Sequence, residues 1–321
     1  MRGLVSLVLV FFIVRRVDWV RLGAVLDRLD VGLAVQVSGL TLLLIVLLAA
    51  RWSIFLRQQS ICLSFGKVLS LTWAGQFFNT VLPGSTGGDV VKIYQLCRMM
   101  PDQRGAAAMS VIVDRLSALI ALALLVGFAL AAGPARNLGS IGLSLWPSWV
   151  SLIVLATAII AIIFTVKQMF RSSRWRARSV RAVTLLRTSL RLNWSLVAAV
   201  TLAFITHLVN FALFFFFARA LGIGITPYQT LLVMPVVLLL VMLPLTINGH
   251  GLREVLVIFF FGQLQISLAG NSGIGLRETV IGLSVITVSN DILWSLPGGL
   301  WYLFRFRAPR KGQPEYLAPA V

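Results

Sequence analysis

The chain has 321 residues, 59% of them hydrophobic and only 12% charged, with a mean hydropathy of +0.94. Soluble domains average roughly 25% charged residues, so this composition excludes a soluble enzyme or binding module and describes a polytopic membrane protein. The 28 Lys and Arg against 10 acids give a net charge of +18, but the basic residues are dispersed at the ends of apolar runs, which fits orientation by the positive-inside rule and contact with anionic lipid. No basic domain stands apart for nucleic acid.

Gly3 to Val14 is an apolar run between Arg2 and Arg15-Arg16, short against the ~20 residues a span needs. No small-residue cleavage pattern follows, and VDWVRLGAVLDRLD reads as an amphipathic interfacial helix, so the run is taken as a short or amino-truncated first span. Val31 to Ala50 is the second span, with Arg51 and Trp52 as its interface anchors. Cys62 and Cys97 are far apart and form no C-x-x-C, so neither a disulfide framework nor a zinc site is indicated.

Val68 to Leu82 and Asp89 to Leu96 are each too short to cross comfortably. Lys67 before them and Arg98 and Arg104 after them put both ends on the cytoplasmic side. That geometry is a re-entrant hairpin, broken by LPGSTGGD. Pro83 forces Leu82 out of helical geometry, and Gly84, Gly87 and Gly88 let the backbone turn. Within a bilayer such a break is tolerated only against protein or a water-filled cavity. Ala106 to Ala132 is a full span carrying Asp114 and Arg115, the loop after it reads as external, and Trp149 to Val166 returns inward. The segment 167–191 holds eight Lys or Arg and no acid, so it is expected to be cytoplasmic.

Trp194 to Phe217 goes back out, with Thr206, His207 and Asn210 bunched on one part of its surface. Pro227 opens a second interrupted unit: Leu231 to Leu243, the break PLTINGHG from Pro244 to Gly251, and Leu252 to Leu264. Arg277 to Phe304 is the last long span, followed by a basic, Pro-containing tail. The expected fold is an all-α integral membrane bundle with two opposed Gly/Pro-interrupted re-entrant hairpins in an inverted repeat. It forms one polytopic domain over 1–321: a first half-repeat 1–132, a second 133–304 with the linker 167–191, and a cytoplasmic tail 305–321.

Asp89, Asp114, Glu254, Glu278 and Asp291 lie in or beside apolar segments, together with Lys92, Arg115, Arg253 and Arg277. Such charges mark function or structural ion pairs gluing the hairpins to the bundle, and both readings are open at this point. Asp291 alone lacks a basic near neighbour. It precedes Arg305 by 14 residues, about 21 Å of helix, and so sits near mid-membrane. After each break a half-helix starts inside the protein, where its free N–H groups and dipole favour a phosphate or carboxylate, unless Asp89 and Asn248 cap them locally. Gln76, Asn79 and Thr80 line one face leading to the first break, for interhelical bonding or for substrate. His250, between Gly249 and Gly251, is a polar tip in a tight turn or a proton carrier. The candidate lipid-binding set is therefore Gln76, Asn79, Gly87, Gly88, Asp89, Lys92, Asn248, His250, Arg253 and Glu254, supported by Asp114, Arg115, Arg277, Glu278 and Asp291. No H-E-x-x-H, G-x-S-x-G, Walker or dinucleotide motif appears, so no catalytic residue, metal or cofactor is assigned.

With both breaks in view, the chain resembles the lysylphosphatidylglycerol synthase transmembrane family, the flippase-like membrane region of MprF, YbhN and AglD-type proteins. The residues that carry the resemblance are Arg51-Trp52, Phe78-Asn79, Leu82-Pro83-Gly84, Gly87-Gly88-Asp89 with Lys92, Asp114-Arg115-Leu116, Leu243-Pro244, Gly249, Gly251, Arg253-Glu254 and Gly298-Gly299. Lys92 stands where relatives more often carry Arg, and His250 where a small or polar residue is usual. The resemblance implies a multi-pass protein of the bacterial plasma membrane that moves an anionic or phosphate-bearing lipid, a phospholipid or polyprenyl-type lipid, between leaflets along interrupted helices. Synthase activity is not implied, since no hydrophilic block exceeds the 167–191 linker. Two other functions compete with it: a non-transporting scaffold for a separate lipid-modifying enzyme, docked through that linker, and an integral-membrane lipid-phosphate transferase.

Overall fold

In the computed structural model the apolar runs fold as α-helices. The residues described are 30–81, 87–132, 193–242, 251–266 and 275–305, with Asp27 and Leu268; they contain no strand beyond an isolated bridge between Ile223 and Leu268. The expected first span, the span Trp149 to Val166, the 167–191 linker, most of the two breaks and the tail lie outside them.

The chain punctuates its helices with local chemistry. Helix α1 (Val31–Ser38) starts where the Asp30 carboxylate accepts the Leu33 N–H at 3.0 Å, and α2 (Leu40–Gln58) continues it past Gly39. Ser60, at φ 59°, then turns the chain into α3 (Phe65–Val81). Helix α4 (Gly87–Met99) folds back along α3, and one 3₁₀ turn, Pro101–Gln103, leads into α5 (Arg104–Ala132). Asn193 caps α6 (Trp194–Ala220) by accepting the Leu196 N–H at 2.8 Å. Thr226 and Gln229 form a reciprocal capping box, with backbone N–H bonds of 2.9 and 3.2 Å, around Pro227 at the first position of α7 (Pro227–Met242). The bundle closes with α8 (Leu252–Gln263) and α9 (Leu276–Arg305).

Four stretches, Val31–Gln58, Pro101–Phe128, Trp194–Ala220 and Leu276–Phe304, are helical, long and apolar enough to cross a membrane. Helices α3, α4, α7 and α8 have 17, 13, 16 and 12 residues. At ~1.5 Å per residue they reach only about 18 to 26 Å, less than the ~30 Å of a bilayer core. Short connections place the end of α2, the start of α3, the end of α4 and the start of α5 together at one end of the bundle. At the other end lie the start of α1, bound through the Asp30 N–H to the Ala220 carbonyl at 3.0 Å, and the end of α6. The Ile223–Leu268 bridge brings the end of α8 there as well.

Among the described residues two main packing centres hold these elements, with a small third one of Phe55, Met109, Val113 and Ala199 between α2, α5 and α6. The larger joins α2, α5, α6, α7, α8 and α9 through side chains such as Leu44, Leu122, Phe217, Val237, Phe261 and Leu283. The smaller seats the α3–α4 pair on α2 and α5 through Trp52, Leu56, Leu71, Leu96 and Val111. Lipid is as apolar as these side chains, so close fit and polar contacts decide how such helices associate. The fit is tight enough to demand glycine: a Cβ on Gly88 would fall 2.7 Å from the Gly75 carbonyl carbon and 2.8 Å from Asn79 Cγ. The long α9 spans both halves. Its C-terminal part receives α3, where Trp73 Nε1 donates to the Trp294 carbonyl at 2.5 Å and Cβ atoms on Gly298 and Gly299 would collide with Trp73 and Phe77. Its N-terminal part packs on α8.

The expected end of the second span is corrected. Arg51 and Trp52 are not interface anchors: the helix runs on to Gln58, and the two side chains are 4% and 0% exposed. Residues that usually seek the interface remain inside here because α5 supplies their partners. Asp114 accepts from Arg51, and Ser110 accepts the Trp52 indole N–H at 3.3 Å.

Candidate functional site

Charges gather where α2, α4 and α5 meet. Arg51 forks onto Asp114, Nε to Oδ1 at 2.7 Å and Nη2 to Oδ2 at 3.0 Å, with side chains only 5% and 10% exposed. Arg115 reaches back to Asp89 at 2.5 Å. The adjacent pair Asp114-Arg115 therefore pairs with two other helices, as neighbours about 100° apart on a helix must. Lys92, three residues after Asp89 on α4, has no carboxylate within 4 Å among the described residues; its Nζ lies 4.9 Å from the Trp52 ring centroid. Asp89, Asp114, Arg115 and Arg51 all act electrostatically on that ammonium. Three cations against two carboxylates leave the group with a net charge of +1.

The depth of this group follows from helix rise. Arg51 and Lys92 each lie 7 residues, and Asp89, Asp114 and Arg115 lie 10 to 11 residues, from the nearby helix end, or about 10 to 16 Å inward. Polar side chains extend from it. Gln95, 1% exposed and one turn beyond Lys92, has neither amide atom hydrogen-bonded among the described residues, and Thr72 on α3 has a hydroxyl in the same condition. At the break, Asn79 Oδ1 accepts the Gly88 N–H at 2.7 Å while its Nδ2 donates to Gln76 Oε1 at 3.2 Å. Asn79, rather than Asp89, thus satisfies an N–H at the start of α4, and Gly87 sits at the first position beside it.

A second polar group joins α8 to α9. Gly251, at φ 85°, takes a backbone form costly for any residue with a Cβ, and its N–H donates to Glu254 Oε2 at 2.6 Å, so Glu254 closes the start of its own helix. The other oxygen of Glu254 accepts from the Ser284 hydroxyl. Arg253 Nη2 donates to Ser284 Oγ at 3.0 Å and Thr287 Oγ1 at 2.9 Å and stands 3.7 Å from Glu254 Oε1. Phe214, Val257, Val280 and Leu283 wall this group.

Among the described residues Arg253 and Glu254 form no ion pair with Asp89 or Lys92. Asp89 is held by Arg115, while Glu254 is held by its own helix start and α9. Arg277 is exposed at the start of α9, Glu278 occupies the same first turn, and Asp291 lies midway along that helix. Asn248 and His250 fall outside the described residues. His207 is structural: its Nε2 donates to the Ala118 carbonyl at 3.0 Å and its ring stacks on Phe211. Sequence reasoning missed Ser284 and Thr287, whose i, i+3 spacing on an apolar helix was the available clue, and it misplaced Arg51.

The model of the lysylphosphatidylglycerol synthase TM region matches residues 1–270. The chain belongs to that family. Within the lysylphosphatidylglycerol synthase TM-region match lie the whole five-charge group, Gly251, Arg253 and Glu254, whereas Ser284, Thr287, Asp291 and Gly298-Gly299 on α9 lie beyond it. No curated protein and no solved structure matches the chain.

Proposed function

We propose that this protein is a lipid translocase of the plasma membrane that passes the phosphate-bearing headgroup of an anionic lipid between leaflets while its acyl chains stay in the bilayer. The observation that carries this reading is the buried group of Arg51, Asp89, Lys92, Asp114 and Arg115. Its two ion pairs are complete, and among the described residues the remaining ammonium of Lys92 has no carboxylate within 4 Å and lies 4.9 Å from the Trp52 ring centroid. A net positive charge inside a membrane bundle calls for an anion, and the neighbouring carboxylates keep that anion from binding too tightly to leave. The buried amide of Gln95, without a hydrogen-bond partner among the described residues, adds polar capacity one turn away.

In this reading α3–α4 and α7–α8 are re-entrant hairpins entering from the two faces. The first brings Lys92 inward from the cytoplasmic end. The second brings in Arg253, which lies 10 residues from the far end of α8, or about 15 Å. Each covers part of a ~30 Å core, so a headgroup moves from one guanidinium or ammonium to the next without crossing bare hydrocarbon. The protein's own chemistry is binding and release; no bond is made or broken.

The test uses the full chain in liposomes with quenchable fluorescent phosphatidylglycerol, its aminoacylated form, or a polyprenyl phosphate. The wild type accelerates leaflet exchange of at least one of them. Lys92→Gln returns exchange to the protein-free rate while the protein stays folded in detergent, and Arg57→Gln, at the exposed end of α2, stays within a few-fold of wild type. Protein-free rates for the wild type with all three lipids overturn the reading in favour of a scaffold. Undiminished exchange by Lys92→Gln removes this site from the path.

A further inference from the structure

Asp291 takes no part in the path just described. It lies 15 residues after the start of α9 and 14 before its end, about 21 to 22 Å from either. It is exposed midway along a helix long and apolar enough to cross a membrane, where an unpaired carboxylate is disfavoured. No basic group comes within 4 Å of it among the described residues. Its neighbour Asn290 donates instead to the Thr41 hydroxyl at 2.9 Å, and Arg253 is bonded to α9 one turn earlier, at Thr287.

Asp291 also continues a ladder. Ser284, Thr287 and Asp291 are spaced i, i+3, i+7 and so fall on one face of α9. Arg253 occupies the first two rungs, bonded to Ser284 and Thr287 at 3.0 and 2.9 Å. The third rung is four residues beyond Thr287, about 6 Å of rise, within the swing of a long guanidinium side chain. The other titratable groups on helices packed against α9 are already engaged or distant. Glu254 is bound to the Gly251 N–H and Ser284, Arg51 to Asp114 and His207 to Ala118. Helix α3 carries none after Lys67, while Arg57 and Arg219 lie at the outer turns of α2 and α6.

We propose that Asp291 is a proton-binding site that couples proton movement to lipid movement through Arg253. With Asp291 neutral, Arg253 rests on Ser284 and Thr287 and is free to take a lipid phosphate. When the carboxyl loses its proton, the carboxylate draws the guanidinium one turn along α9 and the phosphate is released. A phosphate that takes Arg253 leaves Asp291 without a counter-charge, so lipid binding there is accompanied by uptake of one proton from water. Two positions of one side chain, biased by two ligands, are the minimum that linkage requires.

This inference rests on the translocase reading, and its test separates the two. In liposomes containing phosphatidylglycerol, wild-type exchange is measured at equal pH and with a pH difference imposed across the membrane. The expected result is a several-fold change with the gradient, absent in Asp291→Asn, restored in Asp291→Glu and retained in Asp102→Asn. A wild type indifferent to the gradient, or an Asp291→Asn variant that responds like wild type, overturns the coupling. Infrared spectra of the reconstituted protein decide the proton site independently of transport. A carboxylic C=O band present in wild type, missing in Asp291→Asn and strengthened when phosphatidylglycerol is added supports it even if exchange itself fails. The absence of such a band overturns it.

Discussion

The Arg51–Asp114 pair allows a sharp energetic test. Its two hydrogen bonds, 2.7 and 3.0 Å, join side chains only 5% and 10% exposed. Removing one partner strands the other as a buried charge, which costs about 3 to 5 kcal/mol, whereas replacing both by apolar groups of similar volume is often nearly neutral. Arg51→Met and Asp114→Leu are each expected to destabilise by that amount. Asp114→Leu should be the worse, because within this five-charge group it leaves Arg51, Lys92 and Arg115 against the one carboxylate of Asp89. The double variant should fall well short of the sum, giving a coupling of at least ~2 kcal/mol. Equilibrium unfolding in mixed detergent micelles measures all four proteins. A double variant equal to the sum of the singles within ~0.5 kcal/mol would refute the pairing. The Asp89–Arg253 cycle should be additive on the same scale, because Asp89 is satisfied by Arg115 and Arg253 by α9.

Gly88→Ala should lower stability by more than ~1 to 3 kcal/mol, the usual range for overpacking, because its methyl meets the backbone of Gly75. Gly105→Ala, which meets nothing within 4 Å near the start of α5, should raise it by up to ~1 kcal/mol; detergent melting curves that rank the two the other way would count against the crossing of α3 and α4. Trp73→Phe should cost about 0.5 to 1.5 kcal/mol by removing the bond to the Trp294 carbonyl, measured by the same melt. Single cysteines in place of Ser64 and Thr226 should label from opposite faces of intact cells, since the two connections lie at opposite ends of the bundle.

Much of the fold was legible in the sequence because a bilayer accepts few solutions. Long apolar runs must satisfy their own backbone, so Ala106 to Ala132, Trp194 to Phe217 and Arg277 to Phe304 announce helices within three residues of the observed α5, α6 and α9. Pro and Gly clusters announce the interruptions for the same reason, and the acids and bases in apolar context mark where polar contacts must form. What the sequence could not decide was which charge meets which. Asp114 and Arg115 are neighbours in the chain yet point apart on the helix, and their partners, Arg51 and Asp89, are 63 and 26 residues away. Only the packing of α2 and α4 on α5 brings those distances to hydrogen-bond length. The same packing turned Arg51 from a surface anchor into a buried cation, and it left Lys92 against the ring of Trp52. Helix periodicity depends on local sterics that each segment carries with it, whereas a charge takes whichever counter-charge the tertiary arrangement brings nearest.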